Sequence, residues 1–321
     1  MAEIIAGGAG FIGINLVKRL LIKDSIIYIL DNLSNSHEKE LLKLTQNSNI
    51  HFINCDVSSF KDTKKIFEEI IKVNDISTIW HLAANSDIQL GIKDPNIDFK
   101  NTFQTTYSLI EISKIYNIKN FIFASSSAIY GNHNDLSINE NTGPLMPISN
   151  YGAMKLASEA ICFAACEINI KNLRVFRFPN VVGLPPTHGV LYDFHKKLQN
   201  NKTLLNVLGD GTQKKSYLHV DDLVDGMIFL NEISLKKKDN PIFNLGSHED
   251  TVEVRWIAEE IVKKYSPNAN IKYGKLNKGW IGDIPKFKYD TTKAKEYGWT
   301  PKMNSKEALS KAIDQIINLN K

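Results

Sequence analysis

Ile4-Ile5-Ala6-Gly7-Gly8-Ala9-Gly10-Phe11-Ile12-Gly13 is the stretch on which the reading of this chain turns. Ile4-Ile5-Ala6 is a short apolar run of strand type, and beyond Phe11 the residues Leu16, Val17, Leu20 and Leu21 recur at helical spacing. Between them lies a GxxGxxG turn. Glycines at 7 and 10 allow the backbone to turn tightly and bring its N–H groups close to a pyrophosphate, while Gly13 lets helix and strand pack closely. The helix N-terminus then faces negative charge. A glycine-rich turn is common on its own; following a strand and opening a helix, it reads as a cradle for a dinucleotide.

Outward from this turn, strands alternate with helices, which predicts an α/β fold built on a doubly wound parallel sheet. Ile26-Ile27-Tyr28-Ile29-Leu30 reads as the second strand and ends in Asp31, a carboxylate placed to accept hydrogen bonds from adenosine ribose hydroxyls. A 2′-phosphate there would meet a like charge with no flanking arginine, so NAD is expected rather than NADP. A third strand, roughly residues 50–54, leads to Cys55-Asp56-Val57, and a fourth, Thr78-Ile79-Trp80, to His81-Leu82-Ala83-Ala84. A helix from Asn101 to Tyr116 precedes a fifth strand, Asn120 to Ala124, which runs into Ser125-Ser126-Ser127-Ala128-Ile129-Tyr130-Gly131. Strand C-termini of an open parallel sheet line the crevice where ligands bind. Asp56 is thus expected to reach an adenine amino group, Ala83-Ala84 to let the cofactor backbone pass, and the serines to orient a substrate hydroxyl. His81 is assigned no chemistry, since a histidine at such a strand end is more often a satisfied structural residue.

Tyr151-Gly152-Ala153-Met154-Lys155 supplies the reactive pair. Four residues apart on a helix, the phenol and the ammonium share one face, with Cβ atoms roughly 5–6 Å apart. The cation favours phenolate, which is expected to lower the tyrosine below its ordinary value of about 10. A tyrosine that loses its proton more easily is a general base for an alcohol, and alcohol oxidation needs the hydride acceptor that the glycine turn would hold.

Composition excludes other classes. A hydrophobic fraction of 43% and a charged fraction of 23% are those of an ordinary globular protein, and 321 residues fit one large α/β body with a smaller attachment. The net charge of +4 is modest and its lysines are scattered or sit in short groups such as Lys236-Lys237-Lys238, which gives no reason to expect nucleic acid. Cys55, Cys162 and Cys166 form no CxxC pair, so no disulfide framework and no metal site are indicated; Cys162 and Cys166 share a helix face and read as core packing. No run reaches membrane-spanning length and no signal peptide opens the chain, so a cytoplasmic location is expected.

The glycine turn, Asp31, Asp56-Val57, His81-Leu82-Ala83-Ala84, the Ser-Ser-Ser-Ala-Ile-Tyr-Gly segment, Tyr151 to Lys155, Arg177-Phe178-Pro179-Asn180-Val181-Val182-Gly183 and Gly209-Asp210-Gly211-Thr212-Gln213 stand in one order along the chain. In that order the chain resembles an extended short-chain dehydrogenase/reductase of the NAD-dependent sugar epimerase/dehydratase family. The resemblance implies a Rossmann-like NAD-binding domain over residues 1–178, with returning segments near 216–245, and a mostly substrate-binding domain over 179–321. It makes Tyr151 the base, Lys155 the ligand of the nicotinamide ribose, and Ser126, with Ser127 as its near alternative, the sharer of the tyrosine's proton. The cofactor site would comprise Gly7, Gly10, Phe11, Ile12, Gly13, Asp31, Asn32, Asp56, Val57, Leu82, Ala83, Ala84, Asn101, Ser125, Tyr151, Lys155 and Pro179, with Asn180, Lys215 and Trp280 on the substrate. His219-Val220-Asp221-Asp222 resembles the start of the helix that returns the chain to the sheet.

The family resemblance implies a nucleotide-diphosphate sugar oxidised at C4 by NAD to a 4-keto intermediate, most simply for 4-epimerisation. Release of the keto sugar, for example by a GDP-heptose dehydrogenase, is the competing outcome. Two departures bear on the choice. Ala128 stands where the family's 4,6-dehydratases carry a glutamate, which demotes dehydration. Lys215 and Trp280 stand where diphosphate-binding arginines are usual, with Lys214 and Lys278 nearby to compensate. A catalytically silent NAD-binding regulator would be expected to lack the tyrosine or the lysine. The resemblance also implies a homodimer or higher homo-oligomer paired through the helices 101–116 and 150–168, with which their apolar residues in excess of one buried face are compatible.

Overall fold

The computed structural model describes residues 1–134, 136–236, 239–279, 284 and 286–319. Lys237, Lys238 and the segment Trp280-Ile281-Gly282-Asp283 lie outside them. The chain divides into two compact units, the first comprising Met1–Ile129, Ser149–Arg177 and Asn231–Ile242, the second Tyr130–Ile148, Phe178–Leu230 and Phe243–Lys321.

The first unit is built on strands β1 (Ala2–Ala6), β2 (Ile26–Asp31), β3 (Ile50–Asn54), β4 (Ile76–His81) and β5 (Asn120–Ala124), joined by Asn172–Arg177 and a last strand that begins at Ile242. Their order across the sheet is Ile242–Asn244, Asn172–Arg177, β5, β4, β1, β2, β3. Pairing is parallel from β3 to Asn172–Arg177, with Ala2 opposite Ile26 and Ala6 opposite Leu30. The order reverses direction between β1 and β4, which makes their C-terminal ends the switch point of the sheet. Sheets covered on both faces need strands that are apolar throughout, and Ile27, Tyr28, Ile29 and Leu30 of β2 are all buried.

Seven helices flank these strands: α1 (Phe11–Leu20), α2 (Glu38–Leu44), α3 (Phe60–Ile71), α4 (Ile88–Lys93), α5 (Pro95–Asp98), α6 (Thr105–Ile115) and α7 (Asn150–Cys166). The helix expected from residue 101 begins earlier. Asp94 caps α5 by accepting from Asn96 N–H, Pro95 occupies the first helical position, and a π-helical turn over Phe99–Gln104 carries the chain into α6. Helix α7 starts where Ser149 accepts a hydrogen bond from Gly152 N–H, a cap that stabilises a helix by about 1 kcal/mol. One core of the unit gathers Ile4, Leu30, Phe67, Ile79, Phe121, Phe123 and Cys162. Cys162 is fully buried there, and all three cysteines are free thiols.

The second unit has its own core, in which Leu191, Leu198, Leu205, Tyr217, Ile257, Ile261, Leu309 and Ile313 meet. Its strands are short pairs: Asn180–Val182 with Tyr217–His219 and Leu204–Val207 with Asn270–Tyr273 in parallel, and Lys214–Lys215 with Val252–Glu253 antiparallel. The domain bounds expected from sequence differ from these units in two places. Residues 130–148 cluster with the second unit because Tyr130 donates to Asn244 Oδ1 at 2.7 Å, Glu140 accepts from Asn244 N–H at 2.7 Å and Gly131 bridges to Met146. The return to the first unit is the shorter stretch Asn231–Ile242.

Candidate active site

The glycine turn joins β1 to α1 and is shaped by what cannot fit there. Gly7 has φ +80°, and a Cβ on it would lie 2.6 Å from Ala83 N. Leu82 and Ala83 both donate their N–H groups to the Ala6 carbonyl, at 2.8 and 2.9 Å, so the end of β4 is drawn against the turn. A Cβ on Gly13 would overlap the Gly7 carbonyl oxygen, which is why helix and strand approach so closely. Gly10 differs: its Cβ position has only Gly7 O nearby, at 3.5 Å, and the N-terminus of α1 has no side-chain cap. These are the attributes of a pyrophosphate cradle, with uncapped N–H groups and room above the backbone.

Asp31, at the end of β2, accepts from Ala9 N–H at 3.0 Å and from Leu33 N–H at 2.9 Å. Burial pushes its carboxyl upward against those two bonds. It therefore ties the turn to the strand end where a ribose diol would lie. Asn32 is exposed and accepts from Ser34 N–H at 3.1 Å. Asp56 accepts from Ser58 N–H and its hydroxyl at 3.0 and 2.7 Å and pairs with Lys100 at 2.9 Å, a partner not foreseen from sequence. Burial raises this carboxyl, but Ser58 and Lys100 outweigh it and leave it below its ordinary value. Val57 is buried, Ala84 is half-buried, Phe11 and Ile12 open α1, and Asn101 lies half-buried in the π-helical turn. Taken together, a Cβ-free turn, an uncapped helix end and a carboxylate at the end of β2 fit a dinucleotide.

Helix α7 presents Tyr151 and Lys155 one turn apart. The Ser126 hydroxyl, which accepts from Ala128 N–H at 3.2 Å, is the side chain that opposes the effect of burial on the Tyr151 phenol; this separates Ser126 from Ser127, which opens a 3-10 turn. Lys155 is 2% exposed, donates to the Ala124 carbonyl at 2.6 Å, and lies 4.8 Å from the Phe123 ring centroid and 5.9 Å from that of Tyr151. The electrostatics reverse the expectation from spacing. Burial pushes Tyr151 up to about 12, opposed by Ser126 and reinforced by Asp98, and burial pushes Lys155 down to about 7, opposed by Cys162 and Glu159. Helical spacing puts the groups together, but desolvation outweighs their mutual effect in the free protein.

Two features escaped the sequence reading, Glu159 and Asp98. Glu159, one turn beyond Lys155, is buried and takes both Nε and Nη2 of Arg177, at 3.0 and 2.7 Å, together with the Ser125 hydroxyl. That hydroxyl spends its proton on Glu159 and keeps its acceptor lone pairs. The signal was available: Glu159 is the lone acid in the otherwise apolar helix Leu156–Cys166. Asp98 is fully buried, takes Asn85 Nδ2 at 2.8 Å and packs beneath Gly91, whose carbonyl accepts from Asn150 at 2.9 Å. His81 is fully buried with Nε2 2.8 Å from Thr106 Oγ1, and burial holds it well below its ordinary value, in keeping with a structural histidine.

In the second unit, Asn180 begins its strand exposed, with Nδ2 3.5 Å from the Ser216 carbonyl. Its register partner is Tyr217, two residues beyond Lys215, so Asn180 and Lys215 stand close together at the start of a paired strand. Pro179 is buried against Gly246. Trp280, the third expected substrate residue, lies outside the described residues.

Residues 4–246 match the NAD dependent epimerase/dehydratase family. The chain belongs to this family. Among its relatives, a putative UDP-glucose 4-epimerase of Methanocaldococcus jannaschii is 27% identical over 323 residues, covering 99% of both chains. A UDP-glucuronate 4-epimerase of Thermodesulfobacterium geofontis is 26% identical over 97% of this chain and 94% of its own. The crystal structure of UDP-glucose 4-epimerase from Thermotoga maritima with UDP-glucose superposes with a TM-score of 0.85 at 27% identity over the whole of both chains. This member of the epimerase/dehydratase family is an NAD-dependent enzyme on a Rossmann-like α/β fold. Among the described residues it has no cluster of His, Cys, Asp or Glu able to hold a metal ion and no helix long and apolar enough to cross a membrane.

Proposed function

We propose that the protein is a nucleotide-sugar 4-epimerase that works through a 4-keto intermediate. The observation that carries this reading is Tyr151, one helical turn from the buried Lys155 that the Ala124 carbonyl holds, in the same unit as the glycine cradle. The full-length likeness to UDP-sugar 4-epimerases supports it.

Tyr151 Oη takes the proton of the sugar C4 hydroxyl, and Ser126 Oγ shares it. NAD, when bound, would supply a two-electron acceptor for the C4 hydrogen and a positive charge. Gly7, Gly10 and Gly13 would hold its pyrophosphate, Asp31 its adenosine ribose, Asp56 its adenine and Lys155 its second ribose. Burial raises the Tyr151 phenol, and the positive charge of a bound nicotinamide would favour its phenolate. Asn180 and Lys215 bind the sugar and diphosphate. Return of the hydrogen to the opposite face of the keto sugar inverts C4. Ala128, in place of a carboxylate beside the serines, leaves no acid there for dehydration.

The protein is a homodimer through α6 and α7, and its three free thiols suit the reducing cytoplasm. The test is incubation with NAD and UDP-glucose, UDP-glucuronate or a GDP-heptose, following product stereochemistry and the absorbance of reduced cofactor. C4-inverted sugar without net reduced cofactor is expected; steady accumulation of reduced cofactor with a keto sugar would replace this reading by a C4 dehydrogenase. Tyr151→Phe should lower turnover at least a thousandfold while leaving NAD affinity within about twofold; undiminished turnover would remove Tyr151 as the base.

A further inference from the structure

We propose that Glu159 and Arg177 form a buried ion pair that positions Tyr151, Lys155 and Ser126, both acting as positioning residues for the reaction. The inference rests on the reading of Tyr151 and Lys155 as the reacting pair. It begins with a register. Three consecutive residues at the end of β5 meet three residues spaced by four on one stripe of α7: the Ala124 carbonyl accepts from Lys155 at 2.6 Å, the Ser125 hydroxyl donates to Glu159, and Ser126 is the hydroxyl that acts on Tyr151. The middle residue of the strand end thus holds the farthest of the three helical positions, so the strand end cannot slide along α7 without breaking all three contacts. Ser125 N–H also donates to the Phe176 carbonyl at 2.8 Å, which fastens β5 to the neighbouring strand beside Arg177. Arg177 then closes on Glu159 with two bonds in fork geometry.

A purely structural role would be served as well by an apolar pair, because a buried ion pair is weak evidence for stability. Here the side chains of Glu159 and Arg177 are 2% and 3% exposed and the carboxylate has three bonds, so its charge is fixed in place beside Lys155. The groups facing Lys155 are Tyr151, Glu159 and Cys162 on α7, the Phe123 ring and Ala124 carbonyl of β5, and His81 of β4, which burial keeps neutral. Glu159 is the full negative charge among them. It opposes the loss of the Lys155 proton that burial favours, and Arg177 balances it from behind. Without the carboxylate, Arg177 would lose both bonds of the fork near a lysine already driven toward neutrality.

The test uses the full chain. In Glu159→Gln the thermal midpoint should fall by roughly 5–15 °C. The paired replacement Glu159→Leu with Arg177→Met should recover most of that loss, while turnover of UDP-glucose with NAD stays at least tenfold below wild type. In both, NMR of the Lys155 side chain, assigned with Lys155→Met, should show its titration midpoint moved to lower pH by about one unit. Ser125→Ala removes one contact without removing charge; it should keep the wild-type midpoints of unfolding and of Lys155 titration and lose about three- to tenfold in turnover. A paired variant with wild-type turnover and an unmoved Lys155 titration would overturn the proposal, and so would full activity in Ser125→Ala, whether or not the paired variant folds. Those results would leave the base assignment standing, since that falls only on an active Tyr151→Phe.

Discussion

Lys155 shows how far the chemistry of one residue departs from what its spacing announces. The four-residue interval to Tyr151 is legible in the sequence and the structure keeps it, but the charge states are set by burial, which no interval encodes. With Lys155 at about 7 in the folded protein and about 10.4 when unfolded, the unfolded chain binds more protons between those values. This group therefore adds stability as pH rises from about 7 toward about 10, and below about 7 both states are protonated and the cost of burying the charge is felt in full. Lys155→Met has no such slope. For the NAD-free protein, the difference in unfolding free energy between wild type and Lys155→Met should move in favour of wild type by at most about 1.4 kcal/mol per pH unit across that window. Urea unfolding at a series of pH values measures it, and a flat difference would mean that the folded protein keeps Lys155 charged throughout. Glu159 was readable by the same logic, as a lone acid in an apolar helix, whereas its partner Arg177 lies on another strand and only folding brings the two together.

At the scale of elements, the central strands that build the site were the most legible, because a strand covered on both faces must be apolar along its length. The third and fifth strands fall on residues 50–54 and 120–124 as the sequence suggests. The start of the helix before β5 was not legible: Asp94, Pro95 and the π-helical turn at Phe99–Gln104 extend the helical path upstream of Asn101, and a π turn leaves no periodic signature. The glycine turn, in contrast, makes a sharp prediction. A methyl group on Gly13 has backbone, not flexible side chain, in its way, so the α1–β1 contact must open. Gly13→Ala should cost about 1–3 kcal/mol in urea unfolding and weaken NAD binding at least tenfold by calorimetry. Wild-type affinity in that variant would mean that the close approach of α1 is not what shapes the cradle.

For the whole molecule, the parallel sheet followed from the alternation of strands and helices, but the division into units did not, because residues 130–148 are assigned by hydrogen bonds to Asn244, over a hundred positions away. Assembly is the remaining question at this scale. The π-helical turn and α6 carry Phe99, Phe103 and Tyr107 at successive intervals of four, with Phe99 50% and Tyr107 49% exposed and the Phe99 and Phe103 rings 5.9 Å apart. Along α7, Ala153, Ala157, Ala160 and Ala164 recur at helical spacing and none is buried, so this helix offers a small-residue stripe against which another helix can lie closely. An aromatic stripe and a small-residue stripe on two adjacent helices are complementary when a twofold axis repeats both, which is the geometry of an isologous four-helix contact. Phe103→Glu combined with Tyr107→Glu should therefore shift the protein from dimer to monomer in light scattering at micromolar concentration. Neither side chain is among those bonded to Tyr151, Lys155 or the glycine turn, so NAD affinity should change by no more than about threefold. An unaltered dimer would place the interface elsewhere, and a monomeric wild type would show that these stripes meet solvent.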